Sequence, residues 1–197
     1  YRLGRLLTGD VLTRAEGERL LERVIELAPT FAGARTRLAW SLCETDPARG
    51  LALLEALPDQ EDAYVLETRA ALLAARSEAD ASEAALERAL DVFGDRERGL
   101  IALTEWHVDD RRYERALILA RAIPERVTRE ALKLDAERAW LEAFQLGGAI
   151  RDALPRLREL CAGEVPAHLA WSTYWGARSL EPALAAEAAD ALARTAR

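Results

Sequence analysis

The side chains that could support catalysis or metal binding are few and widely separated in this chain. The histidines are His107 and His168, and the cysteines are Cys43 and Cys161. A metal site needs ligands at short, regular spacings, and a nucleophile needs a base beside it. Neither arrangement occurs around these four residues. We therefore predict that the protein is not an enzyme and that it holds no metal and no cofactor.

Other polar or glycine pairs are better explained by structure than by chemistry. Asp109-Asp110 and Gly147-Gly148 both fall where one helix is expected to turn into the next, so they indicate turns and not an acid pair or a phosphate loop. His107 lies where a large packing side chain is expected, which favours a core or half-buried imidazole. The two cysteines are about three repeats apart, too far for a disulfide, and we expect buried free thiols.

The elements that carry these residues follow a repeat of about 34 residues. A small residue recurs near the start of successive helical stretches, and an apolar residue follows it four positions later, as Leu21, Leu54 and Leu86 do. The small residues are Gly17, Gly50, Ser82, Ala116 and Ala153. A period of this length is typical of helix–turn–helix units that stack into a solenoid. Abundant alanine and leucine support helices over strands.

The two halves of each repeat have distinct patterns. First-half stretches carry a leucine–small pair and a further leucine, as in Leu3-Gly4 with Leu7 and Leu38-Ala39 with Leu42, while Pro29 and Pro58 follow second-half stretches. Over about residues 1–161 the chain resembles the tetratricopeptide repeat family. The resemblance implies an all-α, right-handed superhelix of about five to six helix pairs, with residues 162–197 as a C-terminal helix pair that caps the same solenoid.

The resemblance also implies where a partner would bind, because first helices of this family line a concave groove. The positions carried over are Trp40, Glu44, Tyr64, Glu67, Arg98, Glu105, Arg138 and Glu142. Trp40 is either an exposed binding anchor or a packing residue against the neighbouring repeat. Trp171, Tyr174 and Trp175 lie on one helical face, which indicates either core or a second aromatic patch.

The charge balance narrows the class of partner. The net charge is −7, so nonspecific binding to nucleic acid is disfavoured. Arginine clusters, such as Arg111, Arg112 and Arg115, are interpreted as solvated helix faces. No stretch is apolar enough for a membrane helix. The chain has no asparagine and Lys133 is its only lysine, which argues against the Lys/Asn clamp that some members of the family use for the carboxylate tail of chaperones.

The predicted function is a scaffold that binds a peptide or helix of a partner protein. The alternative is a sensory, regulatory or assembly domain of a larger bacterial protein, such as a transcription regulator. The scarcity of Lys, Asn and Met indicates a GC-rich bacterial genome, and a cytoplasmic location is expected. Because Tyr1 falls inside a predicted first helix, we also expect further residues ahead of it in the native protein.

Overall fold

Regular structure in this protein is helical wherever the chain is described. The computed structural model describes residues 1–8, 12–162, 170, 174, 177–178 and 181–195. In these residues there are eleven α-helices and one short 3₁₀ helix, and no strand. The predicted all-α class is therefore confirmed.

Along the chain the helices follow one another in pairs, each with a first and a second helix. The first helices are α1 (Arg2–Leu7), α3 (Ala32–Ser41), α5 (Ala63–Ala75), α7 (Arg96–Asp109) and α9 (Lys133–Leu146). The second helices are α2 (Arg14–Leu27), α4 (Pro47–Glu55), α6 (Ala79–Val92), α8 (Tyr113–Arg126) and α10 (Ile150–Ala162). A 3₁₀ turn, Glu130–Leu132, leads into α9, and α11 (Pro182–Thr195) follows later. No helix in the described ranges is long and apolar enough to cross a bilayer.

Two compact units make up the chain, Tyr1–Gly99 and Leu100–Arg197, and the boundary between them falls inside α7. In the first unit α2 packs on α3, and α3 and α4 both pack on α5. One buried cluster there joins Leu21 of α2 to Leu38 of α3, and a second joins Leu54 of α4 to Leu72 of α5. In the second unit α9 packs against α8 and α10, and α10 packs against α11.

The small residue of the repeat is the fourth residue in the second helix of each pair. Gly17, Gly50, Ala116 and Ala153 are buried at this place. Ser82 is half-buried in α6 and donates its hydroxyl to the carbonyl of Ala70 at 2.7 Å. A Cβ at Gly17 would lie 2.7 Å from the amide nitrogen of Thr8 and 2.9 Å from the carbonyl of Gly4. The sequence period therefore marks the points at which helices approach most closely.

Aspartates fix the starts of two helices in the first unit. Asp46 accepts the amide of Arg49 at 3.0 Å ahead of α4, whose first residue is Pro47. Asp62 accepts the amides of Tyr64 and Val65 at 2.9 and 3.1 Å ahead of α5. Each carboxylate satisfies amides that have no partner inside the helix, and its negative charge also suits the positive end of the helix dipole.

Three turns within pairs use the same backbone geometry. The second of three linking residues has a positive φ in each: Ser77 at 64°, Arg111 at 59° and Gly148 at 71°. In each turn the following amide donates to the carbonyl five residues earlier, as Glu78 does to Leu73 at 3.0 Å and Ala149 does to Phe144 at 2.9 Å. This hydrogen bond is the mark of a Schellman helix end, where glycine is the favoured residue.

The residue with positive φ gives predictions of opposite sign for the stability of variants in two of these turns. We expect Ser77→Gly to stabilise the protein by up to about 1 kcal/mol, because glycine avoids the Cβ clash of this conformation, and Gly148→Ala to destabilise it by about 1 kcal/mol. Urea unfolding followed by circular dichroism measures both. A loss of stability in Ser77→Gly would contradict the assignment of a strained backbone at this turn.

Candidate binding surface on the first helices

The clearest assembly of predicted groove residues lies in the second unit, on α7 and α9. Glu105 of α7 pairs with Arg138 of α9 at 2.8 Å, so the ion pair bridges two first helices. Arg138 also lies 3.6 Å from Asp135, one turn earlier on α9. Glu142 is exposed on α9, one turn after Arg138. Three of the eight predicted residues therefore come together, and we name Glu105, Arg138, Glu142, Asp135 and Asp109 the α7–α9 acidic patch.

Electrostatics within the patch favour a cationic ligand. Partial burial raises the pKa of Glu105 above its ordinary value of 4.5, and the Arg138 guanidinium opposes that rise. The carboxylates of Asp135, Glu142 and Asp109 raise the pKa of Glu105 further. Glu105 and Asp135 thus flank the Arg138 guanidinium, while Glu142 and Asp109 act on Glu105. A positively charged side chain from outside would relieve the repulsion between these carboxylates.

The predicted residues of the first unit lie at separate places. Glu44 follows α3, is exposed and pairs with Arg14 at 2.9 Å. Trp40 is half-buried. This degree of exposure does not decide between an exposed binding anchor and a packing residue. Tyr64 is 37% exposed, and its ring meets Phe93 edge-on at 6.4 Å between centroids. Arg98 is exposed and pairs with Asp95 at 3.4 Å.

Glu67 does not lie on an accessible surface. Its side chain is completely buried, and so are its neighbours Leu66 and Thr68. The physical reason is that α5 is packed against α3, α4 and α6, so buried residues occur around nearly its whole circumference. The burial of Glu67 contradicts the prediction that its side chain lines an open groove, and Glu67 is not part of the candidate surface.

A buried charged cluster in the second unit was missed by sequence reasoning. Arg112 and Arg115 are buried, although both were expected on solvated helix faces. Nη2 of Arg112 lies 3.0 Å from Oδ2 of Asp110, and the guanidinium carbon lies 4.6 Å from the centroid of the Trp106 ring. The guanidinium is therefore held by a carboxylate and by an aromatic face. The tryptophan six residues before Arg112 was the one available signal for this arrangement.

The histidines and cysteines, the other candidates for catalysis or metal binding, form no such site in the described residues. His107 is fully buried beside Trp106, with 4.7 Å between ring centroids, which confirms the expected core imidazole. Cys43 is half-buried and forms no disulfide within the described residues. Within the described ranges no three or more His, Cys, Asp and Glu side chains are grouped to hold a metal ion. His168, Trp171, Trp175 and the side chain of Cys161 lie outside the described residues, and Tyr174 is half-buried.

Comparison with known proteins identifies no relative of the chain. No protein-family model, no curated protein and no solved structure matches it.

Proposed function

We propose that the protein is a tetratricopeptide-like scaffold that binds a basic peptide or helix of a partner protein on the α7–α9 acidic patch. The observation that carries the proposal is the bridging of two first helices by Glu105 and Arg138, with Glu142 exposed beside them. This arrangement puts charged groups from two consecutive first helices within reach of a single ligand. A lysine or arginine of the partner would pair with carboxylates that Arg138 neutralises only in part.

The ion pair itself supports a role in binding more than a role in stability. The side chains of Glu105 and Arg138 are 37% and 54% exposed, and exposed ion pairs contribute little to folding, about 0–1 kcal/mol. Recognition gains more from such groups, because charge complementarity directs the approach of a partner and selects its orientation. An extended peptide or an amphipathic helix with basic residues at helical spacing would fit this use.

A neutralised patch should lose affinity for basic peptides. Peptides selected from a random displayed library against the wild-type chain are expected to be rich in Arg and Lys. The Glu105→Gln/Glu142→Gln variant should bind them at least about tenfold more weakly, equivalent to about 1.4 kcal/mol. Fluorescence anisotropy of the labelled peptides measures the dissociation constants.

A matched control separates the patch from the net charge. Glu125 of α8 and Glu159 of α10 are exposed on second helices of the same unit. The Glu125→Gln/Glu159→Gln variant changes the net charge by the same amount and should bind within about twofold of wild type. Equal weakening in both variants, or selected peptides without basic residues, would overturn the proposed function.

The raised pKa of Glu105 gives this test a pH dependence. As the pH falls through that raised pKa, Glu105 becomes neutral and affinity for basic peptides should decrease. The folding contribution has the opposite sign: because the pKa is higher in the folded state, the contribution of Glu105 is favourable at low pH and is lost as the pH rises through the folded pKa. Burial also raises the pKa of Glu137, so loss of both pH trends in the Glu105→Gln variant would identify Glu105 as the titrating group.

A further inference from the structure

One exposed face of α9 carries residues at a spacing of four along the helix. Residues at this spacing stack into a single ridge. The α9 ridge, as we name it, consists of Leu134, Arg138, Glu142 and Leu146. Its leucines are 43% and 50% exposed, the side chain of Arg138 is 54% exposed, and Glu142 is also exposed. Trp140, on the opposite face of the helix, is buried. The ridge thus presents a charged centre between two apolar ends.

The α9 ridge is symmetric about position 140 when opposite charges are counted as matching. Arg138 and Glu142 lie two residues on either side of this position. Leu134 and Leu146 lie six residues on either side of it. In a second copy placed antiparallel and centred at the same level, Arg138 would face Glu142 of the other copy, and each Leu134 would face a Leu146. The ridge is therefore complementary to itself in charge and in hydrophobic character.

The charges also set the direction of the second copy. In a parallel arrangement in register, Arg138 would face Arg138 and Glu142 would face Glu142, and like charges in contact repel. Asp135 and Gln145 flank the ridge and lie five residues on either side of position 140, so in the antiparallel arrangement the carboxylate of one copy would accept the side-chain amide of the other. Ridges at a spacing of four residues pack side by side when two helices cross at about −50°. A twofold axis, the commonest symmetry of two identical chains, produces this arrangement.

From this symmetry we infer that a second copy of the chain docks antiparallel on the α9 ridge, about a twofold axis at the level of residue 140. Arg138 can keep its 2.8 Å contact with Glu105 while it pairs with the other copy, because a guanidinium has several N–H donors. The ridge is only about 18 Å long at 1.5 Å per residue, so the association is weak. Arg138 and Glu142 also belong to the α7–α9 acidic patch, so a second copy and a basic peptide would exclude each other. That exclusion rests on the proposed function, whereas the docking of the second copy does not.

Charge reversal tests the pairing and leaves the apolar ends unchanged. Sedimentation equilibrium of the wild-type chain in about 0.15 M salt, which screens the net charge of −7 on each copy beyond about 8 Å, should give a monomer–dimer equilibrium with a dissociation constant of about 0.1 mM. Arg138→Glu makes the centre of the ridge acidic and Glu142→Arg makes it basic, so each variant alone should associate at least about tenfold more weakly. An equimolar mixture of the two variants should associate within about threefold of wild type, because opposite charges then face each other at both places. Recovery in the mixture also shows that both variants are folded.

A leucine substitution tests the apolar ends against a matched control. Leu146→Ser should weaken association at least about fivefold, because each dimer loses two leucines from the contact. Ile118→Ser, at a 53% exposed position of the second helix α8, should leave association unchanged. A wild-type chain that stays monomeric at about 0.5 mM, a mixture that associates no better than either charge variant alone, or equal weakening by Leu146→Ser and Ile118→Ser would overturn the inference. None of these measurements includes a peptide, so the docking of a second copy and the proposed function can fail independently.

Discussion

Arg112→Met is expected to lower the free energy of unfolding by about 3 kcal/mol, because it removes the guanidinium from a buried carboxylate. The side chains of Arg112 and Asp110 are 4% and 7% exposed, so water does not replace the lost partner. The substitution keeps a long apolar side chain over Trp106, which limits the effect to charge and hydrogen bonding. Urea unfolding followed by circular dichroism gives the free energy.

Arg138→Met provides a matched control for Arg112→Met within the same unit. It breaks an ion pair of similar length, 2.8 Å against 3.0 Å, but at an exposed site. Its effect on unfolding should be below about 1 kcal/mol. The Asp110→Asn/Arg112→Met variant should recover much of the lost stability, since the buried carboxylate that faced Arg112 is then neutral as well. Equal effects of Arg112→Met and Arg138→Met would contradict the importance of burial.

Gly17→Val should detach α1 from α2. No space exists for even one added carbon, because the nearest atoms are the amide nitrogen and Cγ2 of Thr8 and the carbonyl oxygen of Gly4, all within 2.9 Å. Overpacking of this kind destabilises by about 1–3 kcal/mol, and release of α1 would also deprive buried Arg37 of two acceptors, Thr8 and Arg5. We expect a total of about 3 kcal/mol and loss of hydrogen-exchange protection in α1.

Gly50→Val tests whether backbone contact is the cause of the effect at Gly17. Gly50 is also the fourth residue of its helix, but the closest atom to an added Cβ is the end of the Leu72 side chain, at 2.5 Å. The nearest backbone atom, the carbonyl oxygen of Ala39, is farther away at 3.0 Å. A leucine end can change rotamer, whereas the α1 backbone cannot move without leaving α2. The loss at Gly50 should therefore be smaller by at least about 1 kcal/mol. A larger loss at Gly50 would show that backbone approach is not the deciding contact.

The positions of helix contact could be predicted from the sequence, because steric limits leave a direct trace in residue type. Gly17, Gly50, Ala116 and Ala153 were identified by their spacing, and all four are buried at the same place in a second helix. The same period agrees with the turns that contain Asp110 and Gly147-Gly148, since each second helix begins three residues before its small residue; Asp109 itself is the last residue of α7.

Buried charges could not be predicted in this way. Helical periodicity shows which side chains share a face, but burial of Glu67 depends on how many helices surround α5. Arg112 belongs to a run of arginines that looks solvated, and it is buried because Asp110 and Trp106 supply a carboxylate and an aromatic face nearby. Such contacts depend on the three-dimensional path of the turn, which the residue pattern of a helix does not contain.

The single lysine of the chain has a practical consequence for binding experiments. Lys133 is the first residue of α9, is half exposed and pairs with Glu130 at 2.5 Å. It lies five residues before Arg138, or roughly 7.5 Å along the helix axis at 1.5 Å per residue. An amine-reactive dye would therefore attach one fluorophore to a side chain of this protein, at the start of the helix that carries Arg138, and its emission could be tested as a report of occupancy. Amine-coupled resins would attach the chain through Lys133 or through the α-amino group of Tyr1, so part of the immobilised protein would be held by the start of α9.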